Sequence, residues 1–460
     1  MAYLKETANE FIEKNKNRGR EDFQPVYHFA PPVGWINDPN GLIYYRGYYH
    51  LFYQFYPYDI VWGPMHWGHS RSKDMITFEH LPVALAPDCE RENGCYSGGA
   101  VISADDENQL VALYTRHYEE NGNIFETQCK TVSTDGVNFR KCGEVIGEKD
   151  LPPFSDIKNF RDPNPVYIEG RYYVVVGNQS NDGRGRILVY VSDDLKKFTH
   201  FSTIEHSSFG AMVECPDLFR MDGKDVLVYS VYGMQGDDWP NHDGKACLYA
   251  VGRFDTVSGR FDFENVGSLD EGTDFYAAQT LEDEQKRRVL LGWLGSWDGN
   301  DYLREIGHRT CGKYSLPRVL SIVDGRLVQT PVENVFSYVG GEFDVEEGVK
   351  IQKNFFLKTK MSDGARFSFG NGGDFIEVYA ENGRIYCKTR QKHRVSCTRS
   401  IGKTGSGHDV LVFSDKGTAE IFADGETVSF QAIIEGDEYT VLAAAGLENA
   451  RAGTIGGNKK

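Results

Sequence analysis

Short runs of aromatic and β-branched residues, separated by turn residues, recur along most of the chain and predict antiparallel strands. The clearest runs come in pairs around a residue followed by glycine: 41–45 and 48–55 around Arg46-Gly47, 165–168 and 171–176 around Glu169-Gly170, and 218–221 and 226–229 around Asp222-Gly223. A two-residue turn of this kind between two such runs predicts a β-hairpin. Two fainter pairs, 97–102 with 110–114 and 277–281 with 289–293, bring the hairpins to five.

A second pattern follows the hairpins: a strand that ends in a polar turn and an aromatic residue, at 72–78, 133–139, 192–198 and, more loosely, 254–261. Each unit is therefore four strands long. The units begin at five marker residues: Asn37, Ser97, Arg161, Glu214 and Ala277. The spacing between markers is about 60 residues, slightly longer than the length of common propeller repeats. Five four-stranded units predict an all-β fold with a five-bladed β-propeller, whose innermost strands surround a central channel. An all-β fold without propeller symmetry is the structural alternative.

The regions on either side of the repeats have other patterns. Residues 319–333 predict a strand pair that ends the propeller. From about Gly341 onward, short alternating strands with residue-glycine turns at 382–383, 416–417 and 424–425 are typical of a β-sandwich. Near the amino terminus, Leu4, Ala8, Phe11 and Ile12 have helical spacing. The sequence therefore predicts an N-terminal helical extension over 1–24, a propeller over 25–335 and a β-sandwich over 341–460.

Charge and composition narrow the classes of function. With 50 Lys and Arg against 67 Asp and Glu, the net charge of −17 disfavours a nucleic-acid or anionic-membrane partner. No apolar run approaches the ~18 residues that a membrane helix needs, and the polar amino terminus lacks the pattern of a signal peptide. The 9 cysteines are scattered, with no CxxC pair, which indicates neither a disulfide framework nor a zinc site. These features predict a cytoplasmic protein with reduced thiols.

Three acidic clusters open the strand pattern of their units: Asp38 within Asn37-Asp38-Pro39-Asn40, Asp162 within Arg161-Asp162-Pro163, and Glu214 within Glu214-Cys215-Pro216-Asp217. Each has a plain structural explanation when it is taken alone. Asp38 could cap a turn, Arg161 and Asp162 could form an ordinary ion pair, and Glu214 could be a solvated strand end. Their recurrence at the start of innermost strands favours function, because a propeller would bring three such carboxylates to one end of its channel.

These clusters also carry a resemblance to a known family. Residues 35–41 (Trp-Ile-Asn-Asp-Pro-Asn-Gly), Arg161-Asp162-Pro163, Glu214-Cys215-Pro216-Asp217 and Asp274-Phe275-Tyr276-Ala277 are similar, in order and spacing, to the signature motifs of glycoside hydrolase family 32, the β-fructofuranosidases. The resemblance runs from about Tyr27 to Glu333 and continues more weakly beyond. In that family a five-bladed propeller precedes a β-sandwich, so the resemblance implies the same fold that the repeats predict.

The resemblance implies a role for each residue of the acidic clusters. Asp38 would be the nucleophile and Glu214 the acid/base of a retaining glycosidase, which needs two carboxyl groups about 5 to 5.5 Å apart. Burial and negatively charged neighbours would keep Glu214 protonated near neutrality. Asp162 would hydrogen-bond the fructosyl hydroxyls in the transition state, and Arg161 would balance the local negative charge.

A furanose pocket also needs aromatic walls and polar partners for the sugar hydroxyls. The resemblance places six residues at such positions: Asn37, Gln54, Trp62, Tyr96, Ser97 and Trp293. With Tyr276 nearby and Arg161 beside the carboxylates, they form the predicted substrate-binding set. With 28 Phe, 26 Tyr and 6 Trp in the chain, any of these aromatic residues could instead belong to a blade core. His50, His66 and His69 lack the spacing of a metal site, and the implied mechanism requires neither a metal nor a cofactor.

Two departures from the family pattern bear on the substrate. Gly99 stands where the family often has a serine. The stretch 236–244 differs from the pattern of bacterial sucrose-6-phosphate hydrolases, although residues 62–70 resemble that group. The leading hypothesis is a retaining β-fructofuranosidase that releases terminal fructosyl units from sucrose, sucrose 6-phosphate or short fructo-oligosaccharides. The alternatives are a fructosyltransferase that uses the same site and a non-catalytic, glycan-binding propeller. The sequence makes no prediction about the oligomeric state.

Overall fold

Residues 34–331 form five mainly antiparallel sheets. The structure is a computed structural model, and it describes residues 3–234, 244–295 and 300–456. The first sheet contains β1 (Gly34–Tyr45), β2 (Tyr48–Tyr56), β3 (His66–Ser72) and β4 (Phe78–Leu85). The second contains β5 (Gly94–Ile102), β6 (Leu110–Glu120), β7 (Asn123–Ser133) and β8 (Arg140–Ile146). The third contains β9 (Ser155–Ile168), β10 (Arg171–Ser180), β11 (Gly185–Ser192) and β12 (Thr199–Ile204).

The last two sheets complete the circle. The fourth contains β13 (Met212–Met221), β14 (Lys224–Tyr232), β15 (Lys245–Phe254) and β16 (Phe261–Ser268). The fifth contains β17 (Phe275–Glu282), β18 (Arg288–Leu294), β20 (Lys313–Tyr314), β21 (Arg318–Val323) and β22 (Arg326–Pro331). Helix α2 (Asn300–Glu305) and β19 (Thr310–Cys311), a strand of the first sheet, come between β18 and β20. The innermost strands β1, β5, β9, β13 and β17 contact one another in a closed ring. The predicted five-bladed propeller is therefore confirmed, and the alternative without propeller symmetry is wrong.

Two very short strands join the last blade to the first. Strand β19 pairs in parallel with β1, with Gly34 opposite Thr310, while β20 pairs with β18 and β21 follows it as the third strand of the fifth blade. The predicted closing pair is found as β21 and β22. The two-residue strands β19 and β20 were not predicted, because so short a run has no hydrophobic period to detect.

Repeated local hydrogen bonds explain the repeated turns. At 46–47, 169–170 and 222–223 both residues have positive φ, as a type I′ hairpin turn requires. After the third strand of the first three blades, a serine Oγ accepts a bond from the backbone N–H three residues later at 2.8 to 2.9 Å, at Ser72, Ser133 and Ser192. An aspartate two residues after each serine accepts the next N–H groups. These side chains cap the turns that the sequence pattern predicted.

Helix α1 (Lys5–Asn15) lies against β4 on the first blade. Ala8 is buried there, and Asn9 accepts a hydrogen bond from the backbone N–H of Val83 at 2.9 Å. Phe11 packs edge-to-face on Tyr58, with ring centroids 5.0 Å apart. Among the residues that the structure describes, no helix has the length and apolar character of a membrane span.

A ten-stranded sheet follows the propeller. A 3₁₀ helix at Glu333–Tyr338 leads into it, and two single-turn 3₁₀ helices, Glu148–Asp150 and Ser207–Phe209, lie within the propeller. The strands of the sheet are β23 (Val339–Glu342), β24 (Lys350–Gln352), β25 (Asn354–Asn371), β26 (Asp374–Glu381), β27 (Arg384–Gln391), β28 (Arg394–Ile401), β29 (His408–Asp415), β30 (Thr418–Ala423), β31 (Glu426–Gln431) and β32 (Glu438–Ile455). Strand β25 pairs with β29 through residues 354–361 and with β26 through residues 366–371. The two halves fold over one core that includes Val378 and Ile385 from one side and Val412 and Ile421 from the other. This is the predicted β-sandwich, although the limits 1–24, 25–335 and 341–460 stay predictions.

Buried charges join the propeller to this sandwich. His28 lies between two carboxylates, with Nδ1 3.0 Å from Asp415 and Nε2 2.8 Å from Glu420. Glu420 also receives a bond from Arg318, whose Nη1 donates to Asp270 at 2.9 Å. All five side chains are fully or almost fully buried. Buried charges are stable only when each has its partners, so this network fixes how the sandwich sits against the propeller.

Candidate active site

The innermost strand of every blade is irregular at its marker residue. The ladder with the next strand shifts between Ile36 and Pro39 in β1 and between Tyr96 and Gly98 in β5. It shifts in the same way at 161–164 in β9, 214–217 in β13 and 276–279 in β17. In the last three strands a non-glycine residue has left-handed φ there, at Asp162 (67°), Cys215 (47°) and Ala277 (53°). A β-bulge re-aims the side chains beside it, and all five bulges lie at the marker residues of the repeats.

The bulged segments surround one cavity of about 530 Å³ at an end of the channel. All of the site residues that the sequence predicted line it: Asn37, Asp38, Gln54, Trp62, Tyr96, Ser97, Arg161, Asp162, Glu214, Tyr276 and Trp293. They come from all five blades. The structure therefore brings together residues that lie as far apart as 37 and 293 in the sequence.

Three donors surround the carboxylate of Asp38. Ser97 Oγ donates to Oδ2 at 2.6 Å, and Asn37 Nδ2 donates to Oδ1 at 3.0 Å. The Cys215 thiol lies 3.5 Å from Oδ2. Trp35 in turn donates to the Asn37 side chain at 2.9 Å, which fixes the direction of its amide. Donors of this kind stabilise the ionised form of a carboxyl group, as a nucleophile requires.

Asp162 is the most deeply buried of the three carboxylates, with 3% of its surface exposed. Its Oδ2 accepts the backbone N–H of Cys215 at 2.9 Å and lies 3.6 Å from the Cys215 thiol. A carboxylate oxygen of Asp38, a carboxylate oxygen of Asp162 and Sγ of Cys215 all lie within 4.8 Å of one another. Asp162 is therefore close enough to Asp38 for both to touch one small ligand.

Glu214 lies across the same cavity and is held by two donors. Arg161 Nη1 donates to Oε1 at 2.9 Å, and the Tyr276 hydroxyl donates to Oε2 at 2.8 Å. The side chain is 21% exposed, more than the fully buried core carboxylates. Glu214 is thus fixed in direction but open to the cavity.

Burial and mutual repulsion raise the pKa of two carboxyl groups in the site. Burial raises the pKa of Asp38, the donors Ser97 and Asn37 oppose it, and the charge of Glu214 adds to the rise. Burial also raises the pKa of Asp162 well above its usual range, helped by the charges of Asp38 and Glu214 and opposed by Arg161. Carboxylates that share a buried site cannot all ionise freely. Asp38 and Asp162 therefore hold their protons more tightly than exposed carboxyl groups would.

Aromatic side chains form the walls of the cavity. Trp293 is almost fully buried and packs against Trp35 with ring centroids 5.9 Å apart, while Trp62 stands at the rim with 46% of its surface exposed. Trp62 meets Tyr96 edge-to-face at 6.0 Å. Gln54 is buried and donates to the backbone of the second blade at 3.0 Å. Such a mixture of apolar faces and fixed polar groups is typical of a sugar-binding pocket.

Comparison with known proteins identifies the family. The glycosyl hydrolases family 32 N-terminal domain matches residues 28–331, which is more than half of the chain. The protein belongs to glycoside hydrolase family 32. The resemblance seen in the sequence motifs is therefore confirmed, and the matched residues include every blade of the propeller.

Several members of family 32 are similar to the chain in sequence. A sucrose-6-phosphate hydrolase of Zymomonas mobilis is 36% identical over 331 residues, and the match covers 68% of this chain but only 63% of that relative. A sucrose-6-phosphate hydrolase of Escherichia coli is 33% identical over 453 residues, 92% of this chain and 91% of the relative. A raffinose invertase of Escherichia coli is 38% identical over 343 residues, 72% and 69% of the two chains.

Solved family 32 structures have the same fold over almost the whole chain. A Bombyx mori GH32 beta-fructofuranosidase, in a variant complexed with sucrose, superposes with a TM-score of 0.84 at 31% identity and covers 98% of both chains. A sucrose-6-phosphate hydrolase from Lactobacillus gasseri gives a TM-score of 0.86 at 23% identity, which bears on the fold alone. Both agree with a propeller followed by a sandwich.

The structure also adds cavity residues that the family motifs do not contain. They are His117, Ile124, Glu126, Lys158, Asn159, Tyr232 and Lys245. Glu126 lies in β7, with no glycine, proline or repeated acidic pattern beside it, whereas Lys158 lies in β9, three residues before Arg161. The position of Lys158 near a motif could have drawn attention to it, whereas only its charge could have done so for Glu126.

The two departures from the family pattern have different outcomes. At Gly99, a Cβ atom would lie 2.2 Å from Asn164 Oδ1, so the neighbouring blade leaves no room for a side chain as Asn164 is placed. A serine at this position would therefore require Asn164 to move. The stretch 236–243 lies outside the described residues.

Two acidic clusters of the described residues have the spacing of metal ligands. In one, Asp88 and Glu92 contact the ammonium group of Lys141, which supplies the positive charge itself. The other is Asp38, Asp162 and Cys215, where burial raises the pKa of the thiol well above its usual value. The thiol of Cys215 lies within hydrogen-bonding distance of both carboxylates. The histidines that lacked the spacing of a metal site contact each other or the backbone: His50 Nδ1 and His69 Nε2 are 3.0 Å apart, and His66 Nδ1 lies 2.9 Å from the Pro64 carbonyl.

Proposed function

We propose that the protein is a retaining β-fructofuranosidase that releases terminal β-D-fructofuranosyl units from sucrose and related saccharides. The observation that carries the proposal is the single cavity shared by Asp38, Asp162 and Glu214. Retaining glycosidases use one carboxylate as nucleophile and one carboxylic acid as proton donor on opposite sides of the scissile bond. Asp38, with its three donors, suits the first role, and the more exposed Glu214 suits the second.

In the first step, Asp38 Oδ attacks the anomeric carbon of the fructosyl ring and forms an ester bond with it. The bond from that carbon to the leaving oxygen breaks, and Glu214 gives its proton to that oxygen. In the second step, Glu214 takes a proton from water, and the water oxygen displaces Asp38 from the anomeric carbon. Each step inverts the configuration, so the product retains that of the substrate. No metal or cofactor takes part in either step.

Asp162, Arg161 and Tyr276 contribute to the transition state in which the fructosyl unit passes from the leaving oxygen to Asp38. Positive charge develops on the fructosyl ring as the leaving oxygen departs. Asp162 lies within reach of the same ring and accepts hydrogen bonds from its hydroxyls. Arg161 and Tyr276 hold Glu214 in the direction that the leaving oxygen needs, which is a contribution of orientation rather than of bond making.

The names of the relatives support the proposal that the substrate is a sugar with a fructosyl unit. The proteins that resemble this chain are named for sucrose 6-phosphate, raffinose or levan, and the Bombyx mori relative was solved with sucrose. These substrates share a terminal fructosyl unit and differ in the leaving group. Lys158 and Lys245 line the cavity and give it positive charge, which would favour a phosphorylated leaving group over a neutral one.

The proposal is tested by turnover of sucrose by the purified protein and by two variants. Asp38→Ala and Glu214→Gln should each lower kcat by about a thousandfold or more, with thermal unfolding unchanged within a few degrees. Equal release of glucose and fructose indicates hydrolysis, whereas glucose in excess indicates transfer of the fructosyl unit to sugar. Near-normal turnover in either variant would rule out the assigned roles, and tight sugar binding without turnover in the unmodified protein would favour a binding propeller.

A further inference from the structure

Glu126 is a buried carboxylate at the edge of the site that neither the motifs nor the mechanism uses. It lies on β7, the third strand of the second blade, with 2% of its surface exposed. Its Oε2 accepts the backbone N–H of Phe160 at 3.1 Å and Nε of Arg161 at 2.9 Å. Its Oε1 lies 3.3 Å from Nδ1 of His117.

Arg161 links this carboxylate to Glu214. Its Nε donates to Glu126 while its Nη1 donates to Glu214, both at 2.9 Å. Its Nη2 donates to the side chain of Asn159 at 2.9 Å. A guanidinium is planar and its donors have fixed directions, so the bond at Nε sets the direction in which Nη1 points.

We propose that Glu126 is a positioning residue for the acid/base: it orients Arg161 toward Glu214 and takes a share of the positive charge of Arg161. This inference rests on the proposed function, in which Glu214 must hold a proton before the first step. If Arg161 faced Glu214 alone, its full charge would favour the ionised form of Glu214. A second carboxylate on the same guanidinium reduces that effect, and its own negative charge opposes ionisation of Glu214 further.

The charges around Arg161 agree with this division. Burial alone would lower the pKa of Arg161, but the carboxylates of Glu126, Glu214 and Asp162 raise it well above its usual value. Of these three carboxylates, Glu126 raises the pKa of Arg161 the most. The other titratable or charged groups that line this end of the cavity are Asp38, Tyr96, His117, Lys158, Tyr232, Lys245 and Tyr276.

The substitution Glu126→Gln removes the charge and keeps the contacts. A glutamine oxygen can still accept from Phe160 and Arg161, and its amide can donate to His117, so the fold should be preserved. We expect the alkaline limb of the kcat/KM profile to move to lower pH by roughly one unit. Above that limb kcat/KM should fall about tenfold, because a smaller fraction of Glu214 is protonated, whereas KM should change little.

A matched control comes from the fourth blade. Asp225 is also buried and accepts one backbone N–H, from Phe254 at 2.8 Å, and one arginine Nε, from Arg220 at 2.9 Å. Asp225→Asn therefore removes a similar buried charge away from the cavity. It should leave the pH profile in place, and thermal melts of both variants separate a loss of folding from a change in the site.

Three outcomes would overturn the inference. An unchanged alkaline limb in Glu126→Gln would show that Glu126 does not act on Glu214. A rise in KM with the limb in place would make Glu126 a substrate contact, and equal shifts in both variants would make the effect a general one of charge.

A second measurement does not depend on activity. In protein labelled with ¹³C-glutamate, the carboxyl signal lost in Glu214→Gln identifies Glu214, and its titration midpoint should be lower in Glu126→Gln than in the unmodified protein. If sucrose is not cleaved at all, the proposed function fails, whereas this comparison still decides the inference. Equal midpoints would refute it.

Discussion

The hydrogen bond from Ser97 to Asp38 offers a sharp test of how the site keeps its nucleophile ionised. At 2.6 Å it is the shortest contact of Asp38, and Ser97 is buried with 2% of its surface exposed. The substitution Ser97→Ala removes this donor and leaves the bond from Asn37 and the contact with Cys215 in place.

The expected fall in kcat of Ser97→Ala follows from the kind of hydrogen bond that is lost. A hydrogen bond to a charged acceptor contributes about 1.5 to 3 kcal/mol, and about 1.4 kcal/mol corresponds to a factor of ten in an equilibrium or rate. We therefore expect kcat to fall by about 10- to 100-fold. Burial already raises the pKa of Asp38, and loss of a donor raises it further. Because the nucleophile must be ionised, the acidic limb of the pH profile should move to higher pH by about one unit.

The assay is sucrose hydrolysis measured from acidic to alkaline pH, with Ser70→Ala as the control. Ser70 is a buried serine of the first blade whose hydroxyl contacts His80 at 3.0 Å, and its loss should leave the profile unchanged. An increase in KM for Ser97→Ala with the acidic limb in place would refute the reasoning, since Ser97 would then bind the sugar and not the nucleophile.

Two further predictions concern stability. Gly99→Ser should lower the free energy of unfolding by about 1 to 3 kcal/mol, because the new Cβ would lie 2.2 Å from Asn164 Oδ1. Gly341→Ser is the control, since a Cβ there would have no atom within 4 Å and should not lower the stability. Equal melting temperatures of the two variants would contradict this prediction. Burial alone would lower the pKa of His28, but Asp415 and Glu420 raise it above 6.5. Its stabilisation is therefore complete below pH 6.5 and is lost as pH rises through the higher pKa of the folded state. The melting temperature should fall over that range more steeply in the unmodified protein than in His28→Gln, and parallel curves would disprove the link.

Much of the fold could be predicted because it depends on local chemistry that is repeated. A residue-glycine pair such as Arg46-Gly47 specifies a tight turn by its own φ preferences, and Ser72 caps a turn three residues away. Five copies of one pattern then leave few topologies other than a propeller. Strand β19 was missed because its two residues are held by the partner strand β1 and not by any pattern of their own.

The site was predictable where it coincides with the repeat and not elsewhere. Asp38, Asp162 and Glu214 occupy equivalent bulges, so the repeat that predicts the fold also predicts their convergence. Glu126 sits on the third strand of its blade and reaches the cavity only because β7 lies beside β9 of the next blade. Contacts between blades depend on the packing of whole sheets, which no local sequence pattern encodes.

The account rests on Asp38 bonding to the fructosyl carbon while Glu214 serves the leaving oxygen and then the water. The most direct measurement is mass spectrometry of the Glu214→Gln variant after treatment with β-D-fructofuranosyl fluoride. Fluoride departs without a proton from an acid, but breakdown of the ester needs Glu214 as base, so the intermediate should accumulate. We predict one added fructosyl unit on the peptide that contains Asp38. A variant that gains no adduct, or one that carries it on Asp162 or another residue, would contradict the mechanism.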